Sequence, residues 1–323
     1  MLAALLASVV LAMTAPAPAA PPVAGYVDVS VATVWTAPTS PRPVDAKALA
    51  NPVNIPGWLA DMSPAQQEAL TDDNLTQTQA LYGQRVVITG SRDGWYEVAV
   101  PGQPNPKNTA GYPGWIPRNQ VGTAPLPDSR AFALVNRSTT AWLYDDPALT
   151  RRRLEISVNA RLPLMSRTPT ALQVLTPDHG PKWLPAAAAG VFGGDRDIPH
   201  PTGADLVRLA TLFVGRPYLW AGRSGFGVDC SGLTSTIYQA NGITIPRDSG
   251  PQAVDPAARK VDRTDLQPGD LLFYARDNGK GSIHHVAMYI GDSRMIEAYD
   301  HLTPVRITAT RFGSEYWGAV RYL

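Results

Sequence analysis

The stretch Gly215–Gly232, GRPYLWAGRSGFGVDCSG, decides how the rest of the chain is read, because it holds the only cysteine among 323 residues, Cys230. Asp229 precedes it and Ser231-Gly232 follow. Beyond that point Leu233, Ile237 and Ala240 recur at helical spacing as far as Asn241-Gly242. The sequence therefore predicts a helix that starts at Cys230, with Asp229 as its N-cap. A thiol in the first turn of a helix lies among free N–H groups that favour the thiolate, and those groups can also hold an oxyanion. The expectation is a nucleophilic cysteine of lowered pKa, with glycines around it that let backbone and substrate approach closely. The plainer alternative for a lone cysteine is a small buried hydrophobe. Gly222-x-x-Gly225-x-Gly227 lacks the Lys-Ser/Thr that a phosphate loop requires.

A nucleophile needs a base near it. After the turn at Leu266-Gln267-Pro268-Gly269-Asp270, Leu271 to Tyr274 reads as a buried strand. Ser282 to Ile290 and Arg294 to Tyr299 read as two more, joined at Gly291-Asp292-Ser293. Alternation puts His285, Ala287 and Tyr289 on one face. A three-residue loop then sets Glu297 on the face of His285, diagonally opposite and within reach of a long side chain. Cys230, His285 and Glu297 match nucleophile, base and orienter, with His301 the next candidate for the third position. The His284-His285 pair also fits a metal half-site, but no further ligand cluster accompanies it, and no metal or cofactor is expected.

Upstream, Leu206, Leu209, Ala210 and Phe213 mark a helix over Asp205 to Val214, with Gly215 as its C-cap. From Gly25 to about Leu126 short strands alternate with turns: Val27, Val29 and Val31, then Val86 and Ile88, then Trp95, Glu97 and Ala99, then Gly114-Trp115-Ile116-Pro117. Between the first two lies a polar, partly helical insertion, Ile55 to Leu81, in which Ser63-Pro64 reads as a helix start. The insertion is a candidate wall of the site. A second run of short strands covers about Ala131 to Phe192, and both runs fit small barrels. Trp95/Trp115 and Trp142/Trp183 sit at comparable points and point to a degenerate repeat. Gly190 to Thr202 reads as a linker.

Length argues for two or three domains, and the many prolines with short helical stretches fit small β modules. Net charge is +1 and the Arg151-Arg152-Arg153 triplet is the only basic run, so no nucleic-acid partner is expected. A single cysteine excludes an internal disulfide and a zinc finger. Met1 to Met13 is an apolar run too short to span a bilayer, and Ala17-Pro18-Ala19 fits signal cleavage after Ala19, although a basic n-region is missing. The chain reads as exported, to the periplasm or outside the cell, without stable membrane insertion.

Taken together, Tyr218-x-Trp220, Asp229-Cys230-Ser231-Gly232, Pro246-Arg247-Asp248-Ser249, Leu266-Gln267-Pro268-Gly269-Asp270-Leu271 and His285-Val286-Ala287-Met288-Tyr289-Ile290-Gly291 resemble the NlpC-type cell-wall cysteine peptidases. The resemblance covers about Gly203 to Leu323. Leu81-Tyr82-Gly83 and Gly111-Tyr112-Pro113-Gly114-Trp115 look, more loosely, like the first bacterial SH3-like module of dipeptidyl-peptidase members. The resemblance implies an α+β fold: a signal peptide over 1–19, SH3-like barrels over 20–126 and 127–195, and a papain-like catalytic domain over 203–323. It implies hydrolysis of the bond between γ-D-glutamate and a diamino acid, meso-diaminopimelate or L-Lys, in peptidoglycan stem peptides with a free N-terminal L-Ala. It places Cys230, His285 and Glu297 in the triad, the last a departure from the His of many relatives, with a tighter hold on the imidazolium expected. It assigns Tyr218, Trp220, Asp229, Ser231 and Ser249 to the L-Ala–γ-D-Glu pocket, with Asp229 as helix cap, ligand of the substrate amine, or both, and Tyr112 as a closing residue. Gln84 stands where some relatives carry an acid. The alternatives are a non-catalytic wall-binding scaffold, or a murein amidase or acyltransferase on a related core.

Overall fold

The computed structural model describes residues 23–127, 129 and 131–323; the signal segment expected over 1–19 lies outside them. Among the described residues no helix is long and apolar enough to cross a membrane. The first module contains β1 (Val23–Val27), β2 (Val31–Trp35), β3 (Thr76–Leu81), β4 (Arg85–Arg92), β5 (Trp95–Val100), β6 (Tyr112–Pro117) and β7 (Val121–Gly122). The second contains β8 (Phe132–Val135), β9 (Thr140–Tyr144), β10 (Arg152–Ser157), β11 (Arg161–Arg167), β12 (Ala171–Thr176), β13 (Gly180–Pro185) and β14 (Ala189–Phe192). Their sheets run β3-β2-β6-β5-β4-β1-β7 and β10-β9-β13-β12-β11-β8-β14. Position for position the two orders are identical, so the repeat is real at the level of topology. In neither sheet, among the described residues, do the two end strands pair with each other.

The tryptophan pairing expected for that repeat is half right. Trp115 on β6 pairs with Trp35, and Trp183 on β13 pairs with Tyr144, so Trp115 and Trp183 are equivalent. Trp95 lies on β5 and Trp142 on β9, which are not equivalent strands. The alternation Val27, Val29, Val31 is also not one strand: the chain bends at Val29-Ser30 and divides it into β1 and β2. The insertion leaves after Trp35 and ends before Thr76, whose strand the sequence reading had included in it. It carries α1 (Ala46–Leu49), α2 (Ile55–Asp61) and α3 (Pro64–Asp72). Ser63 caps α3 as expected, accepting from Gln66 N–H while the Gln66 side chain accepts from Ser63 N–H.

The third unit has α4 (Gly203–Thr211), a small ribbon of β15 (Arg223–Ser224) and β16 (Gly227–Val228), α5 (Cys230–Ala240) and α6 (Ser249–Val254). Its antiparallel sheet joins β17 (Arg259–Val261), β18 (Leu271–Ala275), β19 (Ile283–Gly291), β20 (Arg294–Glu297), β21 (Arg306–Ala309) and β22 (Tyr316–Arg321) in the order β17-β22-β18-β19-β20-β21. The helix over 203–211 stops three residues short of the expected end, and Gly215 takes its positive φ of 84° in the turn beyond. Leu206 and Leu209 of α4 and Leu233 and Ile237 of α5 share a core with Leu271, Phe273, Val286 and Met288. Period two thus sends Val286 and Met288 toward α5 and Ala287 to the other face, with Tyr274 and Met295.

Candidate active site

Cys230 is the first residue of α5, and the Asp229 side chain accepts from Gly232 N–H at 2.6 Å, the N-cap that the sequence predicts. That bond satisfies one free N–H of the first turn and leaves those of Cys230 and Ser231 beside the sulfur. β19 crosses the start of α5, and the N–H of the His285–Val286 peptide faces the Cys230 sulfur, as does that of Ser231. A bulge between β18 and β19 falls at His284: Tyr274 pairs with His285, but Ala275 pairs with Ile283. The extra residue turns His284 outward, 3.7 Å from Glu315, while His285 goes inward, so the two imidazoles diverge.

His285 lies between the rings of Tyr274 and Tyr299, with centroids 5.6 and 5.3 Å away. Across β19 and β20, Met288 pairs with Ile296 and Tyr289 with Met295, which sets Glu297 diagonal to His285. His285 Nε2 and Glu297 Oε2 are 2.9 Å apart, both side chains buried. The face and register read from the sequence are those of the structure. His301 takes no part in these contacts with Glu297.

The electrostatics differ from expectation. Burial pushes the Cys230 thiol up to about 12, Asp229 adds to the rise, and the N–H groups of Val286 and Ser231 with Arg247 only partly oppose it. Burial likewise holds His285 below its ordinary value, against the pull of Glu297. Both shifts favour the uncharged pair. The helix start is correctly placed, but desolvation outweighs its field. Glu297 is held at about 2: burial works to raise it, and the bonds from His285 and Arg311 outweigh that.

Of the residues expected in the pocket, Asp229 and Ser231 are buried, as Cys230 is. Arg247 forks onto Asp229, Nη2 donating to Oδ2 at 2.7 Å and Nη1 to Oδ1 at 3.1 Å, and Nη1 also donates to Ser231 Oγ at 3.0 Å. The cap role of Asp229 is observed, and the buried Arg247 guanidinium holds both of its carboxylate oxygens. Arg247 Nε reaches Thr78 of β3 at 3.0 Å, which fastens the first module beneath the same carboxylate. Tyr218 and Trp220 remain half-buried; the Tyr218 phenol is raised well above its ordinary value, chiefly by burial. Ser249 opens α6 half-exposed, beside Asp248. Tyr112 of β6 crosses between units and donates to Asp248 Oδ2 at 2.8 Å, while Lys107 Nζ donates to the Tyr112 oxygen at 2.7 Å.

The surrounding glycines serve packing of the chain against itself. A Cβ at Gly232 would stand 1.9 Å from the Gly222 carbonyl, and one at Gly225 would stand 1.8 Å from that of Thr139 in the second module. Leu219 and Phe226, from either side of Gly222, pack into one cluster with Trp58 and Leu59 of α2, with Trp220 against it. The insertion therefore touches the loop that leads into Cys230. Gln84 turns back on its own loop, accepting from Leu81 N–H and donating to the Pro101 carbonyl. It lines a cavity with Gln239 and Gly242, at the opposite end of α5 from Cys230.

The model of the NlpC/P60 family matches residues 215–321, and that of the YKFC SH3b2 domain matches 137–192. A curated gamma-D-glutamyl-L-lysine dipeptidyl-peptidase from Bacillus cereus is 45% identical over 92% of this chain and 90% of its own length. The chain belongs to the NlpC/P60 family. A protein of the same description from Bacillus subtilis is 37% identical over 83% of this chain and 88% of its own. The crystal structure of an NlpC/P60 family protein from Bacillus cereus superposes with a TM-score of 0.86 at 44% identity, covering 93% of this chain and 99% of that one. The α+β fold with an SH3b module and the family resemblance stand.

The partners of the expected residues were not legible. Arg247 and Asp248 stand in the Pro246–Ser249 motif, where sequence reading assigned neither a role. Lys107, Arg306 and Arg311 carry no local signal at all.

Proposed function

We propose that Cys230 is the nucleophile, His285 the general base and Glu297 the orienter of a peptidoglycan cysteine peptidase. The observation that carries this is the meeting of three elements: a capped helix start bearing Cys230, the His285–Val286 peptide over its sulfur, and the 2.9 Å contact of His285 with Glu297. His285 takes the thiol proton as sulfur attacks the scissile carbonyl. The oxyanion sits by the N–H groups of Cys230 and Ser231. The imidazolium then protonates the leaving amine, the C–N bond breaks, and a thioester joins the acyl half to Cys230. Water, deprotonated by His285, attacks the thioester and returns the thiol. A neutral resting pair needs no pre-formed thiolate, because the proton moves with the attack.

The protein is a hydrolase of peptidoglycan-derived peptides. The bond we assign is that between γ-D-glutamate and the following diamino acid, as the names of the two Bacillus relatives state for theirs. Half-buried Tyr218, Trp220 and Ser249 with Tyr112 and Asp248 form the wall for an L-Ala–γ-D-Glu unit, and Asp229 and Ser231 hold that wall. We read the third unit as papain-like, because a helix bearing the nucleophile packs on a strand bearing the base. We read both seven-stranded sheets as SH3-like barrels. Export to the cell envelope follows from the apolar N-terminal run.

Mass spectrometry of products separates the readings. Incubation with L-Ala-γ-D-Glu-L-Lys should release the dipeptide L-Ala-γ-D-Glu and lysine. An intact tripeptide together with solubilised sacculi would replace this proposal with an amidase, and binding to sacculi without any product would replace it with a scaffold.

A further inference from the structure

The buried carboxylate of Glu297 is held from several sides. Arg306 is its direct partner across β20 and β21 and donates Nε to Oε1 at 3.2 Å; Thr308 adds a hydroxyl at 3.4 Å. Just beyond β21, Arg311 closes a fork, Nη1 to Oε1 at 2.9 Å and Nη2 to Oε2 at 2.7 Å. Oε2 is the oxygen that also meets His285 Nε2. The Arg311 guanidinium lies over the rings of Tyr274 and Tyr299, 4.9 and 5.2 Å from their centroids, and these are the two rings that flank His285. One negative charge therefore faces two positive ones before the imidazole gains a proton.

We infer that Arg311 is a positioning residue that cancels the charge of Glu297, so that the carboxylate orients His285 as a neutral side chain would. The inference rests on the catalytic roles proposed above. An uncompensated carboxylate this close to an imidazole favours the imidazolium, which cannot accept the proton of Cys230. Burial is the main cause that holds His285 down against Glu297, and Arg311, with a smaller contribution from His284, adds to it. The fork also fixes both oxygens, so the carboxylate cannot rotate away from Nε2. The charged and titratable groups around His285 are Glu297 with Arg306 behind it, Arg311, Tyr274 and Tyr299, with His284, the preceding residue, turned away toward Glu315. The tighter hold on the imidazolium expected from a carboxylate at this position is thus offset inside the structure.

The test compares the acid limb of the pH profile of kcat/KM on L-Ala-γ-D-Glu-L-Lys with the His285 titration read by NMR in the Cys230→Ser protein. Arg311→Met should raise both by roughly one pH unit. Arg311→Lys, which keeps the charge and loses the fork, should leave the limb near its wild-type position while lowering kcat. Glu297→Gln should move the limb down, and Arg311→Met combined with Glu297→Gln should bring it back toward wild type. Neither limb nor NMR titration moving in Arg311→Met, even with reduced kcat, would overturn the inference and leave Arg311 a structural residue. An NMR shift with an unmoved limb would uphold the compensation and overturn the role of His285 as base.

Discussion

Replacing Arg247 with Met tests how the helix that carries Cys230 is held. Arg247 is 2% exposed and the Asp229 side chain 6%, so the fork between them is a buried ion pair. Removing one partner of such a pair typically costs about 3–5 kcal/mol, because the other charge stays behind uncompensated. Here Asp229 keeps the N–H of Gly232 and the Ser231 hydroxyl, so the loss belongs at the lower end, about 3 kcal/mol. Thr78 also loses the Arg247 Nε donor, which loosens the first module against the site. Urea unfolding followed by circular dichroism and tryptophan fluorescence measures the change as a shift of midpoint. The double variant Arg247→Met/Asp229→Asn removes the stranded charge yet keeps an acceptor for Gly232 N–H. It should be more stable than Arg247→Met alone by about 1 kcal/mol or more. A cost below about 1 kcal/mol for the single variant, or a double variant weaker by the sum of both singles, would refute the buried-pair reasoning.

Other outcomes are equally specific. Tyr112→Phe removes a hydroxyl bonded to both Asp248 and Lys107, and should weaken kcat/KM by about 5- to 10-fold, mostly through KM, if one hydrogen bond of about 1 kcal/mol shapes the pocket; unchanged steady-state constants would remove Tyr112 from the wall. Asp28, at the junction of the two β modules, is raised to about 8 by burial and by Asp178, so the folded state binds a proton that the unfolded chain gives up near pH 4. Stability must then fall as pH rises between those values, and Asp28→Asn should stabilise by on the order of 2 kcal/mol at pH 8 and little at pH 4. A thermal melt insensitive to this substitution at pH 8 contradicts it. Glu297→Gln should cost about 10- to 100-fold in kcat, less than loss of the base itself, because the amide still meets His285; full activity would detach Glu297 from the reaction.

The parts of the site set by local periodicity were legible. The helix start at Cys230 follows from an acid before the cysteine and apolar residues behind it, and the diagonal of His285 and Glu297 follows from period two and a short loop. What failed depends on tertiary burial or on distant partners. The lowered thiol pKa failed because the field of a helix start is visible in sequence while the desolvation that outweighs it is not. The cap role of Asp229 was legible, but its buried partner Arg247 was not, because it comes from another turn of chain. The bend that divides Val27 from Val31 interrupts an alternation that continues unbroken in the sequence. Trp95 and Trp142 were matched by spacing, and an inserted helical segment in only one of the two modules makes spacing a poor guide to equivalence.

The claim on which the rest depends is that sulfur of Cys230 attacks the γ-glutamyl carbonyl. Wild-type and Cys230→Ser proteins incubated with L-Ala-γ-D-Glu-L-Lys, with products followed by mass spectrometry, test it directly. The expected result is the dipeptide with wild type and none above background with Cys230→Ser, whose unfolding midpoint stays near wild type because the change is small. Release of dipeptide by Cys230→Ser at a rate near that of wild type would contradict the account.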